Sequence, residues 1–259
     1  MPPLITLITD LGEQEPFAAS IKGTILSHCP SAQIVDLSHQ ISPHDVTEAA
    51  LFALGSIPFF PDKTVHLINV APGPAPIAIR IKNQTVVCPN NGVVTLLSEH
   101  YEVEEIHAID IPDPIADKKE QTFFGREVFA PAAARIAAGA EISDLGNILD
   151  DHIRLDWPQP NTQSKSKIDG KIMHVDRFGN LITNIHRKLL DNSPVERIST
   201  GNFSIFGLSE SYSDVMSQHP LALFGHSGYL EIAYNGDRAN DRLGLSPGLV
   251  ISVLIGSDN

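Results

Sequence analysis

The feature that most constrains the fold is an alternation, from Leu4 to Ala138, of short apolar runs with segments of helical period. This alternation is typical of a parallel β-sheet whose strands are connected by helices that pack on its faces. We therefore predict an N-terminal α/β/α domain with a mainly parallel sheet. The apolar runs predict strands at Leu4–Thr9, Gln33–Leu37, Val65–Val70, Ile77–Ile81 and Thr85–Cys88.

Three helices are predicted in this domain. The first carries an apolar stripe with a spacing of four residues, formed by Phe17, Ile21 and Ile25. The second is expected to be capped by Ser42, with Pro43 at its first position. Its predicted buried face consists of Val46, Ala49, Ala50, Ala53 and Leu54. The third is predicted from about Arg126 to Gly139, with a buried face of Phe129, Ala132, Ala133 and Ile136.

The composition changes at residues 157–167, where Pro, Asn, Gln, Ser and Lys replace the apolar periodicity. We predict that this segment is a linker between an N-terminal domain of residues 1–156 and a C-terminal domain of residues 168–259. Short β-type runs separated by Gly, Asn, Asp and Pro predict that the C-terminal domain is a smaller antiparallel β-barrel-like domain or sandwich. These runs are Lys171–Val175, Leu181–Ile185, Leu221–Phe224, Tyr229–Ala233 and Val250–Leu254.

Charge and cysteine content exclude several classes of function. The formal charge of -13, from 31 acidic against 18 basic residues, disfavours binding to nucleic acid or to anionic membrane surfaces. Because no leader-like segment and no apolar run of about 18 residues occurs, we expect a cytoplasmic protein without a membrane span. Cys29 and Cys88 lack metal-ligand spacing, which indicates core thiols in a reducing compartment and no metal site.

The first predicted strand ends in TDLG, residues 9–12. This places Asp10 at the carboxyl edge of a parallel sheet, where open α/β folds bind ligands. A carboxylate at this edge is suited to accept hydrogen bonds from both hydroxyls of a ribose. An aspartate after a strand is also typical of a turn or a helix cap, and the motif alone leaves this alternative open.

Further motifs follow TDLG along the chain. They are ISPHDV at 41–46, FFPDKTVHL at 59–67, PNNG at 89–92, FFGREVFAP at 123–131, DRFGNLITN at 176–184, SYSDV at 211–215 and GHSGYLEIAYNG at 225–236. In order and spacing this series resembles the S-adenosylmethionine (SAM) hydroxide adenosyltransferases, fluorinases and chlorinases. The resemblance implies a homotrimer that binds SAM or its adenosine part between the N-terminal domain of one subunit and the C-terminal domain of its neighbour. It implies no cofactor beyond SAM as substrate, with a halide ion as a possible second ligand.

The resemblance also implies roles for individual residues. Asp10 matches the aspartate that binds the ribose, and Tyr212 matches an aromatic residue that stacks on adenine. In DRFGN, Asp176 matches a partner of the methionine ammonium group, Asn180 contacts the base, and Phe178 closes the pocket wall. Without the resemblance, Tyr212 is equally a surface aromatic residue, and DRFGN is typical of a tight turn between strands.

Further ligand contacts are implied at the end of the chain and near residue 44. Asn235 and Gly236 match a loop whose backbone contacts adenine. Ser227, together with His226, lies where relatives bind the methionine carboxylate with small polar residues, and His226 departs from that pattern. His44 matches a fluorinase tryptophan that contacts the ligand. Four other histidines lack regular ligand spacing and are predicted to be structural or solvated: His39, His66, His100 and His107.

The family reaction is a displacement at the 5' carbon of SAM, in which methionine leaves as a neutral thioether. Water or a halide ion attacks from the opposite side. The positive sulfonium already activates the leaving group, so catalysis depends on an aligned nucleophile in a pocket that excludes bulk water.

The residues that surround the attacking water in hydrolytic relatives are absent from this sequence. Their aspartate begins a DPG motif, which here reads APG with Ala71. Their arginine falls nearest Ala75 or Pro76, and their histidine aligns with Phe124. The sequence therefore leaves the catalytic residues unknown.

A halide pocket is the other arrangement that the resemblance suggests. The fluorinase residues around the halide match Ala71, Pro74 and Gly125, and a glycine at position 125 is similar to the chlorinases. An apolar pocket that would accept chloride is predicted from Ala71, Pro72, Gly73, Phe123 and Phe124.

Three hypotheses follow for the function. The first is an enzyme that cleaves SAM at the 5' carbon to adenosine or a 5'-halo-adenosine and methionine. The alternative is a noncatalytic adenosine- or SAM-binding member of the family that has lost the Asp, Arg and His set. The third is a purely structural trimer.

Overall fold

The apolar runs of the first half form a six-stranded sheet in the computed structural model, with the order β2-β1-β3-β5-β4-β6. The structure describes residues 2–111, 123–164, 166–190, 193–201 and 203–256. The chain divides into two compact units, Met1–Asp156 and Trp157–Asn259. The strands of the first unit are β1 Leu4–Thr9, β2 Gln33–Ser38, β3 Val65–Asn69, β4 Pro76–Ile81, β5 Gln84–Pro89 and β6 Val103–Ala108.

The sheet is mixed, because β4 runs against its two neighbours. Strands β2, β1, β3 and β5 pair in parallel, whereas β4 pairs antiparallel with β5 and with β6. The cause is a two-residue turn between β4 and β5 at Lys82 and Asn83, whose φ angles are 55° and 57°. Two successive left-handed residues form the turn that closes a tight hairpin, so β4 cannot continue the parallel order.

Helices cover the sheet of the first unit. They are α1 Phe17–His28, α2 Val46–Ser56, α3 Thr95–His100 and α4 Ala130–Ala137, with short 3-10 turns at Ile57–Phe59 and Ile142–Asp144. A π-helical turn, Gly125–Phe129, leads directly into α4. The face of the sheet that carries Leu7 and Leu67 packs in one core with Ile21 and Ile25 of α1 and with Phe129. The predicted stripe of α1 is wrong at Phe17, which is 44% exposed.

The predicted start of α2 is also wrong. Ser42 and Pro43 precede the helix, and its N-cap is Asp45, whose side chain accepts the Glu48 N–H at 2.8 Å. The physical reason is His44, whose φ of 65° interrupts any helical path from Pro43 onward. The predicted buried face is otherwise correct at its four fully buried members, Ala49, Ala50, Ala53 and Leu54.

The second unit is an antiparallel sheet with the order β11-β10-β14-β8-β9-β13-β12, and β7 pairs with β8. Its outer strands β11 and β12 approach each other, so the sheet is nearly closed into a barrel. The strands are β7 Asn161–Ser164, β8 Lys167–Val175, β9 Leu181–His186, β10 Val195–Thr200, β11 Phe203–Phe206, β12 Pro220–Phe224, β13 Tyr229–Tyr234 and β14 Val250–Ile255. Helix α5 spans Ala239–Leu243, and 3-10 turns lie at Arg187–Leu190 and Tyr212–Asp214.

The segment predicted as a linker, residues 157–167, carries structure of its own. It contains β7 and the first residue of β8. Trp157 is only 6% exposed, and its ring lies 5.7 Å from that of Tyr229. The polar composition of this segment therefore reflects a strand at the side of the barrel. No helix within the described ranges is both long and apolar enough to cross a membrane.

Both cysteines are buried free thiols, as predicted. The most deeply buried histidine is His66 on β3, which has no exposed surface. Its Nδ1 lies 2.7 Å from Thr6 Oγ1, and its ring contacts Phe60 edge-on at 5.6 Å. Burial lowers the pKa of His66 from 6.5 to about 4, because a charged imidazolium would lose its hydration.

We predict that His66 makes the fold sensitive to mild acid. The imidazole of His66 takes up a proton near pH 6.5 in the unfolded chain but only near pH 4 in the folded chain. The unfolding free energy is therefore highest above pH 6.5 and falls as the pH is lowered from 6.5 to about 4. The loss approaches about 3 kcal/mol of unfolding free energy. Urea unfolding at pH values from 7.5 to 4.5 measures it.

The His66→Gln variant should lose most of this dependence, since glutamine does not titrate and still bonds to Thr6. The exposed His28→Gln serves as the matched control and should keep the wild-type slope. An unchanged slope in His66→Gln would contradict the assignment.

Candidate functional site

A carboxylate at the carboxyl edge of the first sheet is held by two backbone donors. Asp10 follows β1, and its side chain is 10% exposed. Its Oδ2 accepts the N–H of His44 at 3.0 Å and the N–H of Ala71 at 3.2 Å. The other oxygen, Oδ1, accepts no hydrogen bond from any described residue, so it is free to accept one from a ligand.

Both donors occupy the left-handed region of backbone space, with φ of 65° at His44 and 53° at Ala71. Such a conformation costs a non-glycine residue about 1–2 kcal/mol. Two charge-assisted hydrogen bonds to one carboxylate offset this cost. Strain of this kind is concentrated at functional sites, which favours a binding role for Asp10 over a simple turn.

The PNNG motif, residues 89–92, holds the APG loop that carries Ala71 in position. The Asn91 side chain donates to the carbonyl of Val70 at 2.9 Å. A Cβ on Gly73 would lie 3.0 Å from the Cβ of Pro89, so this loop packs directly on the end of β5. The role of PNNG is thus to position the loop, and the sequence pattern alone gave no signal for Asn91.

Two of the three positions aligned with the missing catalytic set, Ala71 and Ala75 or Pro76, lie along this loop and at the start of the hairpin that follows it. Ala75 accepts the Asn90 N–H at 2.8 Å through its carbonyl, and Pro76 is the buried first residue of β4. Arg80 pairs with Glu105 at 3.1 Å, so its guanidinium is engaged on the strand, as the alternation indicated. Pro72 is exposed on the loop.

The aromatic residues before α4 pack mainly on the core. Phe123 contacts Phe17 edge-on at 5.4 Å, and the Arg126 guanidinium lies over its ring at 5.6 Å. Phe124 lies 6.4 Å from the ring of Phe129 and is partly buried. Phe124 therefore fills the place of the aligned histidine with an apolar side chain.

Gly125 brings the π-helical turn against the end of β3. A Cβ at this position would lie 3.0 Å from Cγ of Asn69 and 3.0 Å from Cδ1 of Ile21. Asn69 is thus a polar group beside Gly125 that the sequence analysis missed. The available signal was an asparagine that closes an apolar strand at the carboxyl edge of the sheet.

In the second unit, the DRFGN motif forms the loop between β8 and β9. Asp176 Oδ1 accepts the N–H groups of Phe178 at 2.9 Å and Asn180 at 2.8 Å, and its Oδ2 accepts the Asn180 side-chain amide at 2.9 Å. Gly179 has φ 86°, and a Cβ there would lie 2.8 Å from the Arg238 Cα. The motif forms the tight turn expected without the resemblance, and Phe178 projects from it with 74% of its surface exposed.

A buried carboxylate lies beneath Tyr212. The Tyr212 hydroxyl donates to Glu231 Oε2 at 2.9 Å, and Glu231 is only 4% exposed. Burial raises the pKa of Glu231, the Tyr212 bond opposes this shift, and the negative Asp176 adds to it. Burial and the Glu231 charge likewise raise the pKa of Tyr212. These groups form an acidic cluster of Tyr212, Glu231 and Asp176, and the sequence analysis overlooked Glu231.

The remaining residues of the last motif support this cluster. Asn235 donates its side-chain amide to the Val215 carbonyl at 2.8 Å, which holds the segment that carries Tyr212. Gly236 has φ 80° beside Asn235. Ser227 lies in the turn between β12 and β13, which Gly228 closes by donating to Gly225 at 2.9 Å.

No group of three or more His, Cys, Asp or Glu side chains is arranged for a metal ion among the residues that the structure describes. The sequence matches the profile of the SAM hydroxide adenosyltransferase N-terminal domain over residues 5–146. It matches the profile of the C-terminal domain of the same family over residues 170–252. The chain belongs to the SAM hydroxide adenosyltransferase family.

Relatives of this family match the chain over nearly its full length. A fluorinase from Actinoplanes sp. is 29% identical over 97% of this chain and 97% of its own. An (R)-S-adenosyl-L-methionine hydrolase from Thermus thermophilus is 29% identical over 96% of this chain and 99% of its own. A crystal structure of an uncharacterized conserved protein from Thermotoga maritima has a TM-score of 0.85 at 30% identity, covering 97% of this chain and 99% of that one.

We predict that the Asp10 carboxylate supports the strained backbone of the first unit. Asp10→Ala leaves the N–H groups of His44 and Ala71 without their acceptor and should lower the unfolding free energy by about 1–3 kcal/mol. Asp10→Asn keeps an acceptor oxygen and should cost clearly less. Chemical denaturation of both variants tests this, and equal losses would contradict it.

We predict that Gly225 is required for the acidic cluster. A Cβ at this position would lie 1.6 Å from Glu231 Oε1, so Gly225→Ala should displace the carboxylate and cost about 1–3 kcal/mol of stability. Glu231→Ala removes the carboxylate with which the new Cβ would clash. In that background, Gly225→Ala should be nearly neutral. A double-mutant cycle on unfolding free energies measures this coupling, and simple additivity would refute it.

Proposed function

We propose that this protein binds SAM and cleaves it at the 5' carbon, giving methionine and, with water as the nucleophile, adenosine. The bond between C5' and sulfur breaks, and both of its electrons pass to sulfur, which becomes a neutral thioether. A bond forms between C5' and the water oxygen, and the surplus proton passes to solvent. No cofactor beyond SAM is needed.

The observation that carries the proposal is the arrangement of Asp10. Its Oδ2 is committed to two backbone donors, 3.0 and 3.2 Å away, and its Oδ1 has no partner among the described residues. A carboxylate oriented in this way suits the vicinal hydroxyls of a ribose at the carboxyl edge of a sheet. The family relationship supports the same role for Asp10.

The second unit supplies groups that suit the other parts of SAM. The half-exposed Tyr212 ring offers a face for adenine, a contact worth about 1–3 kcal/mol per base. The carboxylates of Asp176 and Glu231 favour a cation, which suits the methionine ammonium or the sulfonium. The remaining proposed contacts to the base and to methionine are those of Phe178, Asn180, Ser227, Asn235 and Gly236, with His44, Pro72, Phe123 and Gly125 on the side of Asp10.

The proposed catalysis depends on position and on exclusion of water. The cationic leaving group requires no general acid, and the apolar residues Ala71 and Phe124 favour a site without bulk solvent. Holding the nucleophile in line with the C5'–S bond is the main requirement. Chloride would meet it without a proton transfer, and we propose it as the alternative nucleophile.

We also propose a homotrimer in which the ligand lies between the N-terminal domain of one subunit and the C-terminal domain of its neighbour, as the family resemblance implies. A cytoplasmic location is proposed from the two free thiols, Cys29 and Cys88, which suit a reducing compartment.

Incubation with SAM in water enriched in oxygen-18, followed by chromatography and mass spectrometry, tests the reaction. We expect equal amounts of methionine and adenosine, with the label in the 5'-hydroxyl of adenosine. Added chloride should give a share of 5'-chloroadenosine. Asp10→Ala should lower kcat/KM by about 30- to 150-fold, equivalent to 2–3 kcal/mol for a charged hydrogen bond.

Other outcomes separate the competing hypotheses. SAM binding by calorimetry without any product, over several halides and pH values, would establish the noncatalytic binder in place of the enzyme. Methylthioadenosine as the product would indicate cleavage on the methionine side of sulfur. Absence of both binding and turnover would reject the proposal and leave the structural trimer.

A further inference from the structure

A polar side chain, Asn69, stands at the carboxyl end of β3, at the same edge of the sheet as Asp10. Asn69 is the last residue of β3 and pairs in register with Thr9, the residue before Asp10. Successive side chains of a strand alternate between faces, so Asn69 shares the face of Leu67, which packs in the core with Ile21. The amide therefore lies on the face of the sheet that packs against α1, next to the strand end that precedes Asp10.

The Asn69 amide lies close to Gly125. A Cβ on Gly125 would lie 3.0 Å from Asn69 Cγ and 3.1 Å from Asn69 Nδ2, closer than side chains normally pack. Because residue 125 has no side chain, a space remains between Gly125 and the Asn69 amide. Gly125 is also the position that matches a halide-contacting residue of the fluorinases.

The Asn69 amide takes no part in the hydrogen bonds among the residues that the structure describes. Neither Oδ1 nor Nδ2 makes a hydrogen bond to another described residue, although Asn69 is half-buried. A partly buried amide without a partner is unfavourable unless water or a ligand satisfies it. The side chain of Ile21, which also borders the Gly125 position, offers no polar partner.

We infer that Asn69 is the residue that holds the attacking nucleophile, in place of the Asp, Arg and His set of hydrolytic relatives. This inference rests on the proposed function. An amide carries both an acceptor and a donor. Oδ1 accepts a hydrogen bond from water, which orients the lone pair of the water oxygen toward C5'. Nδ2 donates a hydrogen bond when the nucleophile is a halide. Asn69 takes up no proton, so the proton of the attacking water passes to solvent after the C5'–O bond forms.

The test uses the full-length protein with Asn69→Leu, which keeps the branched shape and removes both hydrogen-bonding groups. We expect kcat for adenosine formation to fall at least 100-fold, while the Kd for SAM from calorimetry changes less than threefold. The melting temperature is measured beside them, so that a folding defect is recognised separately.

Asn69→Asp provides a second readout that a structural role would not change. A carboxylate repels chloride and accepts a proton from water. The ratio of adenosine to 5'-chloroadenosine at fixed chloride should therefore rise at least tenfold, and the adenosine rate should increase with pH. This ratio is internal to each reaction and does not depend on the amount of folded enzyme.

The contact with Gly125 gives an independent check. Gly125→Ala should displace the amide and lower kcat in the wild-type background. In Asn69→Ala, where the amide is gone, the same substitution should have little further effect on kcat. A double-mutant cycle on kcat thus measures whether the two positions act through one contact.

The outcomes separate this inference from the proposed function. A wild-type protein without turnover overturns both. An active wild-type enzyme whose Asn69→Leu variant keeps its kcat and product ratio overturns the role of Asn69 alone. Loss of SAM binding in Asn69→Leu at an unchanged melting temperature makes Asn69 a substrate-binding residue and equally rejects the inference.

Discussion

The Asp10 carboxylate accepts the backbone N–H groups of His44 and Ala71, and the geometry of the first unit's site depends on these two hydrogen bonds. They join the end of β1 to the approach to α2 and to the loop after β3. Both donors are held at positive φ, a conformation that neither residue favours alone. The charge on one carboxylate thus stabilises two strained segments, and Oδ1 stays without a hydrogen-bond partner among the described residues.

The second unit contains the opposite kind of constraint, a negative charge that the fold buries at a cost. Glu231 is covered by Tyr212, and the missing side chain of Gly225 provides its space. The nearby charge of Asp176 further disfavours its ionised form. A positive charge beside the two carboxylates would relieve this repulsion.

Much of the fold could be predicted from local sequence. Strands such as β1 and β13 were predicted within one residue, because continuous apolar runs leave no alternative to burial. Strands β6, β10 and β11 were missed, since their exposed faces interrupt the apolar pattern with charged or polar residues. Strand β4 was predicted at Ile77–Ile81, but its antiparallel direction was not, because two left-handed turn residues set that direction.

The sequence by itself determined the two domain types, the family and the place of Asp10, because apolar periodicity and motif order are properties of the chain. It could not locate the start of α2, since the φ of His44 depends on an acceptor 34 residues away. Asn69 and Glu231 are ordinary strand residues in the sequence. Only the tertiary structure placed Gly125 beside Asn69 and Tyr212 over Glu231. The physical reason is that burial and missing hydrogen-bond partners arise from contacts between distant segments.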